Sequence, residues 1–248
     1  MSKKISTLTA GSLVKLNENG QAKKFIFLQH NHYGQGEVTL LRKDTFAPRQ
    51  WTASYDSSYN NCYYGSDMDM FCNTQYPQML DPIIRACLVN VPITVAEGAS
   101  YGGTVVSTLH TLYRKGFLLS MKEACNANGL AAEGTAFSYL TTQANRIAYS
   151  DGTATAVNWW LRSPNSNAKN AYYVNTSGAS NNNNVYNANN YCPRPASADA
   201  ENRDRVTREG ESRGLPKEAI SCPSRANTSR RRAAAHKGGK PRYQRRAQ

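Results

Sequence analysis

Apolar and polar residues alternate in short bursts over the first fifth of the chain. Ser12-Leu-Val-Lys-Leu16 alternates briefly, and Asn17-Glu-Asn-Gly20 carries turn chemistry. Lys24-Phe-Ile-Phe-Leu28 is a continuous apolar run, short enough for a buried strand. After a loop over residues 31–36, Glu37-Val-Thr-Leu-Leu-Arg42 returns to the strand pattern, so residues 12–42 predict a three-stranded meander. Residues 51–66, with Tyr55, Tyr59, Tyr63 and Tyr64, read as a surface loop. Ser66 then caps a helix with Asp67 and Asp69 in its first turn and Met70 and Phe71 on its apolar face. Asp81 and Pro82 begin a second helix through Ile83, Ile84, Cys87 and Leu88, which ends at Pro92 before the strand-like Ile93-Thr-Val95. Residues 96–116 are Gly-rich and read as irregular. Phe117-Leu-Leu119 suits a buried strand, and Ser120 and Glu123 have capping-box spacing. Residues 137–149 read as a loop with a helical turn, and Asp151-Gly152 as a tight turn into a strand at Trp159.

That strand opens the most informative stretch, residues 158–195. It begins with Trp159-Trp-Leu-Arg-Ser-Pro164 and closes on Tyr191-Cys-Pro-Arg-Pro195. Twelve asparagines fall between Asn158 and Asn190, four of them consecutive from Asn181 to Asn184. Val174 and Val185 interrupt the polar tract as inward-facing strand positions would, and Gly178 marks a turn. Trp159, Trp160, Leu161 and Arg162 are expected scaffold. The expected display positions are Asn165, Asn167, Asn170, Tyr172, Asn175, Asn181, Asn182, Asn183, Asn184, Tyr186, Asn187, Asn189, Asn190 and Tyr191. Asn offers two donors and an acceptor, and Tyr adds rigid amphipathic area, so the mixture resembles the palette of antibody paratopes. A polar low-complexity loop is the plainer alternative.

Charge changes the picture at the C-terminus. The 248-residue chain carries a formal net charge of +13, of which residues 197–248 hold 14 Lys/Arg against 6 Asp/Glu, a net +8. Those residues lack apolar periodicity and have one aromatic, Tyr243, so a disordered basic tail is expected after residue 196. It could contact nucleic acid through phosphates, or be a solvated extension, the reading favoured here. Cys62, Cys72, Cys87, Cys125, Cys192 and Cys222 form no C-x-x-C pair, so reduced, mostly buried thiols are expected, with no metal. The N-terminus has no apolar signal region and no run reaches membrane-spanning length. Cytoplasmic synthesis is expected, a destination in a phage virion being compatible with it.

Trp159-Trp-Leu-Arg-Ser-Pro164, the Asn-rich follower and Pro193-Arg-Pro-Ala196 together resemble the variable proteins of diversity-generating retroelements. Gly11-Ser-Leu-Val-Lys15, Leu41-Arg-Lys-Asp44, Gly65-Ser-Asp-Met-Asp69 and Arg146-Ile-Ala-Tyr149 look like landmarks of the bacterial and phage branch. The resemblance spans roughly residues 5–196. It implies an α+β, C-type-lectin-like (formylglycine-generating-enzyme-type) fold with short antiparallel strands, a few helices and long irregular loops. Residues 1–196 would be the variable domain and 158–195 its variable region. The resemblance further implies that a reverse transcriptase miscopies adenines of a template repeat, which then replaces the repeat in this gene. An AAC codon altered at its first two positions reaches chemically diverse residues without a stop, and Tyr (TAC) and Ser (AGC) lie one change away. The implied function is non-enzymatic binding of a protein or glycan ligand, such as one on a host-cell surface, without a cofactor.

Other constellations are weaker. His30-Asn-His32 spells nuclease letters, but three adjacent residues do not build a ββα-metal site. Calcium-lectin motifs are missing. A formylglycine-generating-type oxidoreductase would need cysteine chemistry, and no motif ties Cys125 to Cys192. Asp67 and Asp69 are explained by the helix N-terminus they occupy.

Overall fold

The computed structural model describes residues 5–52, 60–100, 103–187 and 191–200. The expected meander is present as β1 (Leu13–Glu18), β2 (Gln21–His30) and β3 (Glu37–Arg42), each pair antiparallel. Asn19 and Gly20 both take positive φ, 50° and 76°, the backbone a two-residue hairpin requires. The strands outrun the apolar runs that predict them, because pairing continues past the buried positions. Phe25, Ile26, Phe27 and Leu28 are buried in succession, since β2 lies inside its sheet.

The helical signals hold at their starts. Ser66 Oγ accepts the Asp69 N–H (3.1 Å) and opens α1 (Asp67–Met70). The chain continues through a π-helical turn, Phe71–Gln75, into α2 (Tyr76–Met79). Asp81 Oδ1 accepts the Ile83 N–H (2.9 Å) to cap α3 (Pro82–Ala86). Phe71 is buried, but Met70 and Ile83 face outward. The surface-loop reading of residues 51–66 needs correction at Tyr63, which is fully buried with its hydroxyl accepting the Leu118 N–H (3.1 Å). Tyr64 is exposed, and Tyr55 and Tyr59 lie outside the described residues.

A second correction concerns residues 96–116. They are largely ordered as β5 (Val106–Arg114), which pairs antiparallel with β4 (Val91–Gly98) in a long two-stranded ribbon. The sequence of β5, Val-Ser-Thr-Leu-His-Thr-Leu-Tyr-Arg, has no period-two alternation that would predict a strand. Next come the short β6 (Gly116–Phe117) and α4 (Met121–Cys125), whose capping box joins Ser120 and Glu123 in both directions. Two 3-10 turns, Ser138–Thr141 and Gln143–Arg146, lead to β7 (Ala148–Tyr149).

The Asn-rich stretch folds as β8 (Ala156–Pro164), β9 (Asn170–Val174), β10 (Ser180–Asn184) and β11 (Tyr191–Cys192). They form a sheet in the order β10-β9-β8-β11; β11 runs parallel to β8, and β7 also pairs with β8. The chain then returns to the first sheet as β12 (Ala196–Ala200), giving the order β1-β2-β3-β12-β6. The expected boundary after residue 196 therefore moves: Ser197, Ala198 and Asp199 are buried strand residues. Small Ala and Ser side chains carry little strand signal, and the position between β3 and β6 decides their conformation. Residues 201–248, which hold most of the expected tail and Cys222, lie outside the described residues.

The chain is thus an α+β fold of mainly antiparallel sheets with a few short helices. Trp51, Trp159 and Trp160 are fully buried, and each indole N–H finds a carbonyl: Leu161 (3.0 Å), Arg146 (2.9 Å) and Arg49 (3.1 Å). These bonds tie β8 to the segments on either side of it. No described helix is long and apolar enough to cross a membrane.

Candidate functional site

The four expected scaffold residues, Trp159, Trp160, Leu161 and Arg162, all have no exposed surface. Arg162 has a partner the sequence could not name. Its Nη1 and Nη2 each donate to one Glu123 carboxylate oxygen at 2.6 Å, while Nε and Nη2 reach the Thr94 carbonyl and Nη1 the Leu118 carbonyl. Burial opposes the cation, but Glu123 outweighs it and holds the guanidinium above the usual arginine range. The capping-box Glu thus serves both the α4 N-terminus and the β8 arginine.

The expected display positions follow this scaffold along the chain. Asn167 and Asn181 are exposed; Asn165, Asn170, Tyr172, Asn175, Asn182, Asn183, Asn184, Tyr186 and Asn187 are half-buried. Asn189 and Asn190 lie outside the described residues. Val174 and Val185 are buried, as the interruption of the tract predicts. The whole four-Asn run lies in strand β10, at the open end of its sheet, in register with Tyr173, Tyr172, Ala171 and Asn170 of β9.

The two faces of this hairpin differ. Asn170, Tyr172, Asn182 and Asn184 share one face by register, and Asn170 Nδ2 donates to Asn182 Oδ1 (2.9 Å) across it. On the other face Tyr173 stands edge-on to Trp160, and Tyr191 stacks on Trp160 with ring centroids 4.6 Å apart. Tyr191 is therefore a correction: it is buried at 6 % exposure and belongs to the scaffold. Asn183 Nδ2 donates to its hydroxyl, so Asn183 covers the aromatic cluster from the outside. Burial, with Tyr191 beside it, pushes the Tyr173 phenol up to about 12.

Several asparagines also hold the backbone that displays them. Asn165 Oδ1 accepts the Asn167 N–H, Asn167 Oδ1 the Lys169 N–H, and Asn175 Oδ1 the N–H groups of Ser177 and Ala179. Gly178 turns the β9–β10 hairpin at φ +82°; a Cβ there would stand 2.2 Å from the Gln143 carbonyl oxygen.

Sequence reasoning missed the residue that pins the first turn. Asn61 is fully buried, and its Nδ2 points at the carbonyls of Asn165 (2.9 Å), Asn167 (3.1 Å) and Asn170 (2.8 Å), while its Oδ1 accepts the Ala99 N–H (2.7 Å). A lone Asn in a Tyr/Asn-rich segment carries no signal of such a role. Residues 46–52 back the far end of the site: the Arg49 N–H donates to the Tyr191 carbonyl, Gln50 Nε2 to that of Tyr186, and the Trp51 N–H to that of Val185. A shallow depression of about 410 Å³ between this segment and α1 is lined by Phe46, Arg49, Asp67 and Met70, among others.

The remaining candidates make contacts within the fold. His32 stacks on Phe137 at 3.9 Å, and burial lowers its pKa. His30 Nε2 lies 3.3 Å from the Leu8 carbonyl. Asp69 is bound by Arg114 through two 2.7 Å contacts. Cys62, Cys72, Cys87, Cys125 and Cys192 are unbridged, and burial raises the thiol pKa of Cys62, Cys72, Cys125 and Cys192. Cys62 and Cys125 are only half-buried, and Cys72, Cys87 and Cys192 are buried. Among the described residues no group of His, Cys, Asp and Glu could hold a metal ion.

Comparisons with curated proteins and with solved structures find no match. A family model described as a domain of unknown function, DUF6273, matches residues 36–198, from just before β3 into β12. That span covers more than half of the 248 residues, contains the whole Asn-rich sheet, and places the chain in the DUF6273 family.

Proposed function

We propose that the chain is a ligand-binding, receptor-recognition protein whose Asn/Tyr/Ser-rich surface is diversified by adenine-directed mutagenic retrohoming. The fold would be the C-type-lectin-like one, and the partner a protein or glycan on another cell. The observation that carries the reading is the partition within one stretch. Trp159 to Arg162 are sealed in the core, whereas the asparagines from 165 to 187 retain exposed surface on two turns and an outer strand. A surface can be rewritten repeatedly only if its changing positions leave the core contacts alone. Asn and Tyr there present donors, acceptors and aromatic area to a partner, and a rigid scaffold limits the entropy lost on binding.

The gene supplies the test. The DNA around it should carry a reverse-transcriptase gene and a near-identical repeat of the codons for residues 158–195, with mismatches confined to template adenines. The codons of the buried Trp159, Trp160 and Leu161 should be the same in both copies. Absence of both the gene and the repeat would remove the diversification claim. Mismatches spread over all four bases would do the same.

A further inference from the structure

Strand β10 ends the Asn-rich sheet, and among the described residues it pairs with β9 alone. The Asn175 N–H donates to the Ala179 carbonyl at one end of this hairpin, and the Val185 N–H to the Lys169 carbonyl at the other. Bonded and unbonded pairs alternate along an antiparallel ladder. The odd-numbered residues of β10 therefore bond to β9, and the N–H and C=O groups of Ser180, Asn182 and Asn184 point away from it. Such a row is a template for an added strand, and proteins usually blunt it with charge, proline or a bulge. Ser180 to Asn184 carry no charge and no proline, and their register with β9 is unbroken.

Side-chain amides take the place of those devices. Asn181 Oδ1 accepts the Asn182 N–H (2.8 Å), and Asn183 Oδ1 accepts the Asn184 N–H (2.6 Å). The Asn184 carbonyl accepts the Asn187 N–H of the following turn (3.0 Å). Beyond Ser180, a strand laid along this edge would find no free donor. We infer that Asn181 and Asn183 are edge guards, whose side-chain oxygens close the display sheet to main-chain pairing. A partner is then left the side-chain face of Asn170, Tyr172, Asn182 and Asn184. The guard needs an acceptor oxygen on Cγ, which Asn and Asp have and Ala or Tyr lack. Replacing both residues opens the edge at little cost in stability, because the freed N–H groups meet water. The guard does not depend on the diversification reading. Under that reading, changes at 181 and 183 switch the surface between recognition by side chains and recognition by strand addition.

Amide exchange and sedimentation of the full chain test this with two double variants, Asn181→Ala/Asn183→Ala and Asn181→Asp/Asn183→Asp. The first removes the acceptor oxygens and the second keeps them. Both remove the Asn183 donor to the Tyr191 hydroxyl, so a disturbance of the aromatic cluster would affect them alike. With rates corrected for sequence, the amides of Asn182 and Asn184 should be protected in wild type and in the Asp/Asp variant. In the Ala/Ala variant they should exchange at least roughly fivefold faster, while the amides of residues 181 and 183, bonded to β9, keep their protection. The Ala/Ala variant should also self-associate at concentrations where wild type is monomeric. Equal exchange at Asn182 and Asn184 in wild type and the Ala/Ala variant would overturn the guard. An Ala/Ala variant that loses this protection yet stays as monomeric as wild type would overturn the claim that the guard is what closes the edge.

Discussion

Glu133 is buried, with one carboxylate oxygen accepting the Ala96 N–H (2.9 Å). Burial raises its pKa to about 7, against the pull of Arg162. A carboxyl whose folded pKa lies above its unfolded value binds its proton more tightly when folded. It therefore stabilises the fold fully below the unfolded pKa and loses that contribution as pH rises towards 7. A shift of this size corresponds to about 3 kcal/mol. Glu133→Gln keeps the shape and removes the titration. Urea unfolding should find the wild type losing about 3 kcal/mol relative to this variant between about pH 4.5 and 7. A difference independent of pH would contradict the assignment. Neither Glu133 nor Tyr191 was legible in the sequence. A lone Glu in a loop looks solvated, and Tyr191 has the same composition signal as its displayed neighbours. Only the Trp160 ring beside it makes it core. Trp159 to Leu161 were legible because three bulky apolar residues in a row have few places to go.

The elements that present the site are held by few groups. Asn61 alone ties the carbonyls of Asn165, Asn167 and Asn170 to the Ala99 N–H. Asn61→Ala would remove these partners from the Asn165 carbonyl and the Ala99 N–H, while the Asn167 and Asn170 carbonyls keep the backbone N–H groups of Asn170 and Asn165, at a cost of about 2 kcal/mol. Amide exchange over residues 165–170 should rise in that variant; unchanged stability and unchanged exchange would show that the turn holds itself. Helix starts were legible because their signals are local: a capping Ser or Asp, and Pro82 at the first position. β5 was not, because a strand with solvent on both sides needs no apolar face. β12 was not, because Ala-Ser-Ala-Asp-Ala owes its conformation to β3 and β6 on either side.

At the scale of the whole molecule, the two sheets separate tasks. The sheet of β1, β2, β3, β12 and β6 joins the N-terminal meander to the segment that follows the Asn-rich stretch. The sheet of β10, β9, β8 and β11 then carries the proposed display positions outward from a core of Trp159, Trp160, Tyr173 and Tyr191. Large changes in the outer positions should therefore alter contacts and leave the fold intact. Unfolding free energies of two variants test this most directly. One replaces Asn181, Asn182 and Asn187 together by Tyr, Ser and Asp; the other is Trp160→Ala. The account predicts that the triple variant stays within about 1 kcal/mol of wild type, with unchanged near-ultraviolet circular dichroism, while Trp160→Ala loses about 3–5 kcal/mol. A triple variant as damaged as Trp160→Ala would contradict it, because the asparagine surface would then be part of the core it is proposed only to cover.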